Sequence, residues 1–194
     1  MSATGSKSNR RACVFCGATD RKITKQHVWH KWMRNHIEGG TGPAKGHSRL
    51  HADRDGGIKS EIRWDTIPLD WQVSAPCKEC NEGWMKDLES QARPLLVAMF
   101  ENKPQSLSVE DQEVLSKWVT LQSMMTQCGH PTDRQRSIPS SHYKAFYESG
   151  LVPVGSQIWV GRYDGSGPWP SQYIHKEFFL ARPDSAGPNA YLSS

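Results

Sequence analysis

Two Cys-x2-Cys pairs, Cys13–Cys16 (CVFC) and Cys77–Cys80 (CKEC), stand 60 residues apart in a chain of 194 residues. Two residues between cysteines let one tight turn aim both thiolates at a single tetrahedral ion about 2.3 Å away. Two such turns complete a four-sulfur zinc site, so the spacing predicts that Cys13, Cys16, Cys77 and Cys80 converge on one Zn²⁺. Gly17 follows the first pair, where a turn requires positive φ. The competing readings are a redox Cys-x-x-Cys and cysteines buried as small hydrophobes. A redox motif normally occurs once, opening a helix after a strand. A site closed by four thiolates has no open position for a catalytic water, so this ion is expected to hold structure. The fifth cysteine, Cys128, falls on an apolar helix face and reads as core.

A staple suits the composition. Hydrophobic residues make up 36% of the chain, a small share for building a core, although eight tryptophans bring large buriable surfaces. No apolar run approaches the ~20 residues that cross a bilayer, which argues against a membrane protein. The N-terminal stretch MSATGSKSNRR has no apolar segment of the secretory kind, so the expected location is cytoplasmic, where thiols stay reduced. The net charge of +4 is uneven. Residues 1–60 hold 12 Lys/Arg against 4 Asp/Glu, and the remainder holds 12 against 16. A basic first third points to a polyanionic partner, most simply nucleic acid.

Along the chain, residues 1–11 read as a disordered basic arm, 12–102 as the zinc-knuckle domain, and 103–194 as a helical region with a small β-hairpin. A short strand is expected after the first knuckle, then a brief helix over 31–37. The Gly-rich, polar stretch 38–60 reads as a long loop, and 61–73 as one or two short strands. A helix is expected over 81–92, with Asn81 as its cap, and Pro94 is expected to end it and open another short helix through Phe100. Ser108 and Asp111 form a variant capping box for a helix running to about Cys128, and Gly150 stops a further helix that starts near Ser140. Segments 157–163 and 171–180 read as the two strands of a hairpin, with Trp159, Tyr163, Trp169 and Tyr173 structural. Trp29, Trp32 and Trp84 are expected to pack around the zinc core.

The stretch Lys25-Gln26-His27-Val28-Trp29-His30-Lys31-Trp32 between the pairs, and Cys77-Lys78-Glu79-Cys80-Asn81-Glu82-Gly83-Trp84-Met85 at the second, resemble the zinc-knuckle branch of the HNH endonucleases. The resemblance covers residues 12 to about 90. It implies an α+β architecture with a ββα-metal (His-Me finger) element stapled by the zinc. It also implies a metal-dependent hydrolysis of phosphodiester bonds in DNA, most simply double-stranded. On that pattern His27 matches the general base, and Asn81 the last motif position, a ligand to Mg²⁺ or another divalent ion. Gln72 matches the middle Asn, which orients the loop carrying the histidine. Gln26 stands where the family has an acidic ligand, and His30 where it has Pro. Gln26, His27, His30 and Asn81 are therefore the candidate ligands of a catalytic ion. Arg10, Arg11, Lys22, Lys25, Lys31 and Arg34 are the candidate phosphate contacts. Asp87 remains a possible ligand, Glu89 reads as a solvated helix charge, and His36, His47 and His51 read as polar surface. The alternative is a non-catalytic zinc module that binds nucleic acid without cutting it.

Overall fold

The computed structural model describes residues 11–36, 44–52, 58–66, 70–129, 138–161, 177–180 and 190–193, with side chains described for 11–36, 70–129 and 138–161. The arm, except Arg11, lies outside the described residues, and so does Arg10. The architecture is mixed α and β, and three two-stranded antiparallel sheets occur among the described residues.

Strand β1 (Ile23–His27) pairs with the strand that leads into the second cysteine pair, Gln72–Cys77. Ile23 faces Cys77 and His27 faces Gln72, with an irregularity between Ile23 and Lys25. Backbone bonds extend the pairing at both ends. Lys78 N–H donates to Lys22 O, and Val28 N–H donates to Trp71 O. The first knuckle joins the same ladder, because Val14 N–H donates to Ala75 O.

A 3₁₀ turn, Lys31–Asn35, occupies the place expected for a brief helix. The described parts of the stretch 38–60, expected to be a long loop, are strand instead. β2 (Ala44–Ala52) and β3 (Ile58–Thr66) form an antiparallel ribbon, with Ala44 opposite Thr66 and Ala52 opposite Ile58. This segment has too little apolar alternation to announce a strand, and backbone pairing needs none. The Gln72–Cys77 strand is β4.

The next helix begins three residues earlier than Asn81. It consists of α1 (Lys78–Cys80), a wide turn Asn81–Met85 that kinks at Gly83, and α2 (Lys86–Phe100). Cys77, extended at φ −74° and ψ 165°, holds the cap position expected for Asn81. Pro94 does not end the helix; α2 passes through it to Phe100. Its ring deprives only the Ser90 carbonyl of a donor, and both residues are exposed, so water can replace the lost partner.

α3 (Val109–Gln127) starts at the expected capping box: Ser108 Oγ accepts from Asp111 N–H, and Asp111 accepts from Ser108 N–H. α4 (Ser140–Ser149) stops at Gly150, which has φ 65°. The expected hairpin pairs differently. β5 (Glu177–Leu180) pairs with β6 (Ala190–Ser193), while 157–161 forms no strand and Trp159 is exposed. Tyr163, Trp169 and Tyr173 lie outside the described residues.

One buried cluster runs from Cys13, Phe15 and Val28 through Met85, Leu88 and Ala92 to Leu115, Trp118, Leu121, Tyr143 and Phe146. Residues on both sides of position 102 therefore share a core. Phe15, between the first two cysteines, is fully buried, with its ring edge-on to Trp84 at 5.2 Å and 5.7 Å from Tyr143. Trp29, Trp32, Trp84 and the half-buried Cys128 pack against the same cluster.

Candidate metal centre and histidine site

The β1–β4 pairing carries the two cysteine pairs to one place. The four Sγ atoms all lie within 4.8 Å of one another, with Cys13 to Cys80 at 3.8 Å and Cys16 to Cys77 at 3.7 Å. A tetrahedron with arms of about 2.3 Å has edges of about 3.8 Å, so these spacings suit a four-thiolate ion such as zinc. A disulfide needs sulfurs about 2.05 Å apart, and all five described cysteines are free. The surroundings of Cys13 favour thiolate. Cys77 N–H donates to Cys13 Sγ at 3.3 Å. Burial raises the Cys13 thiol, but backbone N–H groups of Cys16, Cys77 and Phe15 outweigh it and bring the group down to about 7. Cys77 and Cys80 are pushed up, chiefly by burial, so a positive ion is what would hold them ionised. Gly17, at φ 73°, closes the first turn by donating its N–H to Cys13 O, as expected.

At the far end of the same strand pair, Gln72 Nε2 lies 2.9 Å from His27 Nε2. His27 is half-buried, and burial together with the charges of Lys31 and Arg34 lowers its pKa. It is therefore neutral near pH 7, with one nitrogen able to accept a proton.

The other candidates are not all gathered around His27. Asn81 Nδ2 donates to Thr24 Oγ1 at 3.1 Å, and Thr24 Oγ1 donates to Pro76 O at 3.3 Å. Asn81 thus ties the helix start to β1. Gln26 is half-buried on β1. His30 is only 7% exposed, and its Nδ1 lies 2.9 Å from Glu89 Oε1. Its Nε2 lies 3.4 Å from Gln122 Nε2. Both ring nitrogens of His30 are committed to α2 and α3. Asp87 is exposed on α2.

Among the described residues, the four cysteines are the one group of three or more His, Cys, Asp or Glu side chains placed to share an ion. Of the other candidates, Gln26 and Asn81 are amides, and Asn81 is bonded at the cysteine end of β1, away from His27. Hard divalent cations bind neutral oxygens more weakly than carboxylates, so these residues do not compose a second cation site by themselves.

Glu89, expected to be solvated, is a half-buried junction instead. Its Oε1 accepts from Trp32 Nε1 at 2.8 Å as well as facing His30, and its side chain is 23% exposed. Arg93 stacks on the Trp32 ring at 5.0 Å. Burial raises the Glu89 carboxyl, but the hydrogen bond and charge of His30, with help from Trp32 and Arg93, leave it lowered overall. The signal in the sequence was faint: Glu89 follows the buried Leu88 directly, on a helix whose other acidic side chain there, Asp87, faces solvent.

Of the candidate phosphate contacts, Arg11, Lys22, Lys25 and Lys31 are exposed. Arg34 is half-buried and pairs with Asp70. His36 pairs with Glu101 at 3.3 Å. His47 and His51 lie on β2, and nothing is described of their side chains. No helix among the described residues is long and apolar enough to cross a membrane. No family model, curated protein or solved structure matches the chain.

Proposed function

We propose that this chain is an endonuclease of the HNH kind, hydrolysing phosphodiester bonds in DNA with His27 as general base. The observation that carries the reading is the His27–Gln72 contact at the end of β1–β4, the strand pair whose other end meets the cysteine centre. A neutral imidazole has one accepting nitrogen, and Gln72 decides which one. As placed, the Gln72 amide Nε2 donates to His27 Nε2, which marks Nε2 as the accepting nitrogen and puts the ring proton on Nδ1; Nε2 is then the atom that takes a proton from water once the amide gives way. Lys25 and Lys31 beside it are exposed cations of the sort that hold a phosphodiester backbone. The motif residues between and after the cysteine pairs carry the likeness to the HNH family. Among the described residues, no second group of three or more His, Cys, Asp or Glu side chains is placed to share an ion.

A second reading, a zinc module that binds nucleic acid without cutting it, is favoured by one observation: His30, a candidate ligand, is instead held by Glu89 and Gln122. One experiment separates the two. Purified protein is incubated with plasmid DNA and Mg²⁺, Mn²⁺ or Ni²⁺, beside His27→Ala. The nuclease reading expects ion-dependent cutting that drops by ~100-fold or more in the variant, the scale of general-base catalysis. Equal behaviour of wild type and variant with every ion refutes it. Salt-sensitive DNA binding without cutting establishes the second reading.

A further inference from the structure

The four thiolates of a zinc site carry roughly two more negative charges than the ion neutralises, and that excess must be met by donors around the sulfurs. The structure supplies them unevenly. Cys13, Cys77 and Cys80 are buried, and Cys16 alone of the four is partly exposed. Cys13 takes the Cys77 backbone N–H. Burial raises the Cys80 thiol, and the indole N–H of Trp84 opposes that rise. Trp84 Nε1 is itself buried and makes no well-formed hydrogen bond elsewhere. The exposed sulfur has a different neighbour. Arg21, five residues on, directs Nη1 at Cys16 Sγ from 3.8 Å.

We propose that Arg21 caps the zinc–thiolate centre from the solvent side, shielding Cys16, and so controls how long the chain retains its metal. The inference rests on zinc occupying the four-cysteine site and is independent of nuclease activity. Its physics is that of access and charge: a guanidinium set over the one partly exposed sulfur covers it from competing ligands and offsets the centre's excess negative charge. Loss of the ion must start where water, protons and competing ligands arrive, and that is Cys16. Lys22, the next residue, is exposed too, and meets the centre's surroundings through its backbone carbonyl, which accepts from Lys78 N–H. It therefore serves as the control for general surface charge.

The test uses the full chain loaded with zinc, with metal content measured first for wild type, Arg21→Gln and Lys22→Gln. Zinc transfer to a chromogenic chelator is then timed, and the first of the four centre cysteines alkylated by N-ethylmaleimide is mapped by mass spectrometry, with Cys128, which lies outside the centre, scored separately. Arg21→Gln is expected to start with one zinc per chain, release it about 10-fold faster than wild type, and be alkylated first at Cys16, a rate change within the range seen on removing donors around metal ligands. Lys22→Gln is expected to match wild type. A wild type without stoichiometric zinc removes the metal assignment on which the proposal stands. A zinc-loaded wild type with equal release from Arg21→Gln overturns the proposal alone. So does equal acceleration by Lys22→Gln, or first alkylation at Cys13, Cys77 or Cys80.

Discussion

Replacing Glu89 by Ala should cost this fold about 2–3 kcal/mol. One carboxyl oxygen receives both Trp32 Nε1 at 2.8 Å and His30 Nδ1 at 2.9 Å. Hydrogen bonds to a charged group contribute about 1.5–3 kcal/mol each, so the gross loss is roughly 3–6 kcal/mol. Two effects reduce it. The side chain is 23% exposed, so water already screens part of the interaction. Its removal also recovers the cost of burying a charge. His30, however, is left with a buried Nδ1 and no partner, which keeps the net change well above zero. Glu89→Gln retains an accepting oxygen for Trp32 and should cost about 1–1.5 kcal/mol. The measurement is urea unfolding at pH 7 with excess zinc, followed by tryptophan fluorescence. A double-mutant cycle of Glu89→Ala with His30→Ala should give a coupling of about 1–2 kcal/mol. A Glu89→Ala loss below about 0.5 kcal/mol, or additive single changes, would refute the junction, since surface substitutions fall in that range.

Three more expectations follow from the same structure. The Glu89 carboxyl is lowered on folding, so its stabilisation is complete above the ordinary glutamate value of about 4.3 and disappears as pH falls through the lower folded value. The stability gap between wild type and Glu89→Gln should accordingly close below about pH 4, measured by unfolding at a series of pH values; a gap that widens in acid contradicts the sign. Chelating the metal should destabilise the chain by several kcal/mol, because site formation and folding are linked, and should abolish near-ultraviolet circular dichroism from the tryptophans near the knuckles; an unchanged spectrum would show that the cysteines do not depend on an ion. Gly150→Ala should cost about 1–2 kcal/mol by thermal unfolding, purely from the left-handed φ of 65°, because no atom lies within 4 Å of the added carbon.

What the sequence revealed and what it hid divide by range of interaction. The cysteine pairs, the Ser108–Asp111 box and the Gly150 stop are local patterns whose chemistry is complete within a few residues, and the structure contains all of them. Pro94 misled because a proline's effect on a helix depends on whether its orphaned carbonyl meets water, which the sequence does not state. The ribbon at 44–52 and 58–66 was hidden by its polar composition. His30 and Glu89 were separately visible, but their meeting is set by how the 3₁₀ turn lies on α2, a packing result. Gln72 was picked out by distance from Cys77 and an implied role; its contact with His27 follows from the strand register.

That register links the metal to the histidine. Ile23 faces Cys77 at one end of β1–β4, and His27 faces Gln72 at the other. Four residues of strand separate the ends, about 13 Å at the usual rise. A slip of one residue would turn every side chain of β1 to the opposite face and part His27 from Gln72. Little in a pair this short resists slippage by packing, because only Val73, Ala75, Pro76 and Cys77 of β4 are buried and no residue of β1 is. Closure of four sulfurs fixes Cys77 against the first knuckle, and the Asn81–Thr24 bond fixes the helix start against β1. Both constraints act at the cysteine end. At the other end Val28, fully buried and donating its N–H to Trp71 O, fixes the residue next to His27, so the histidine is held from both sides, and damage to the staple should appear first as loss of order at the cysteine end of the strand, before the helical core of α2, α3 and α4 gives way.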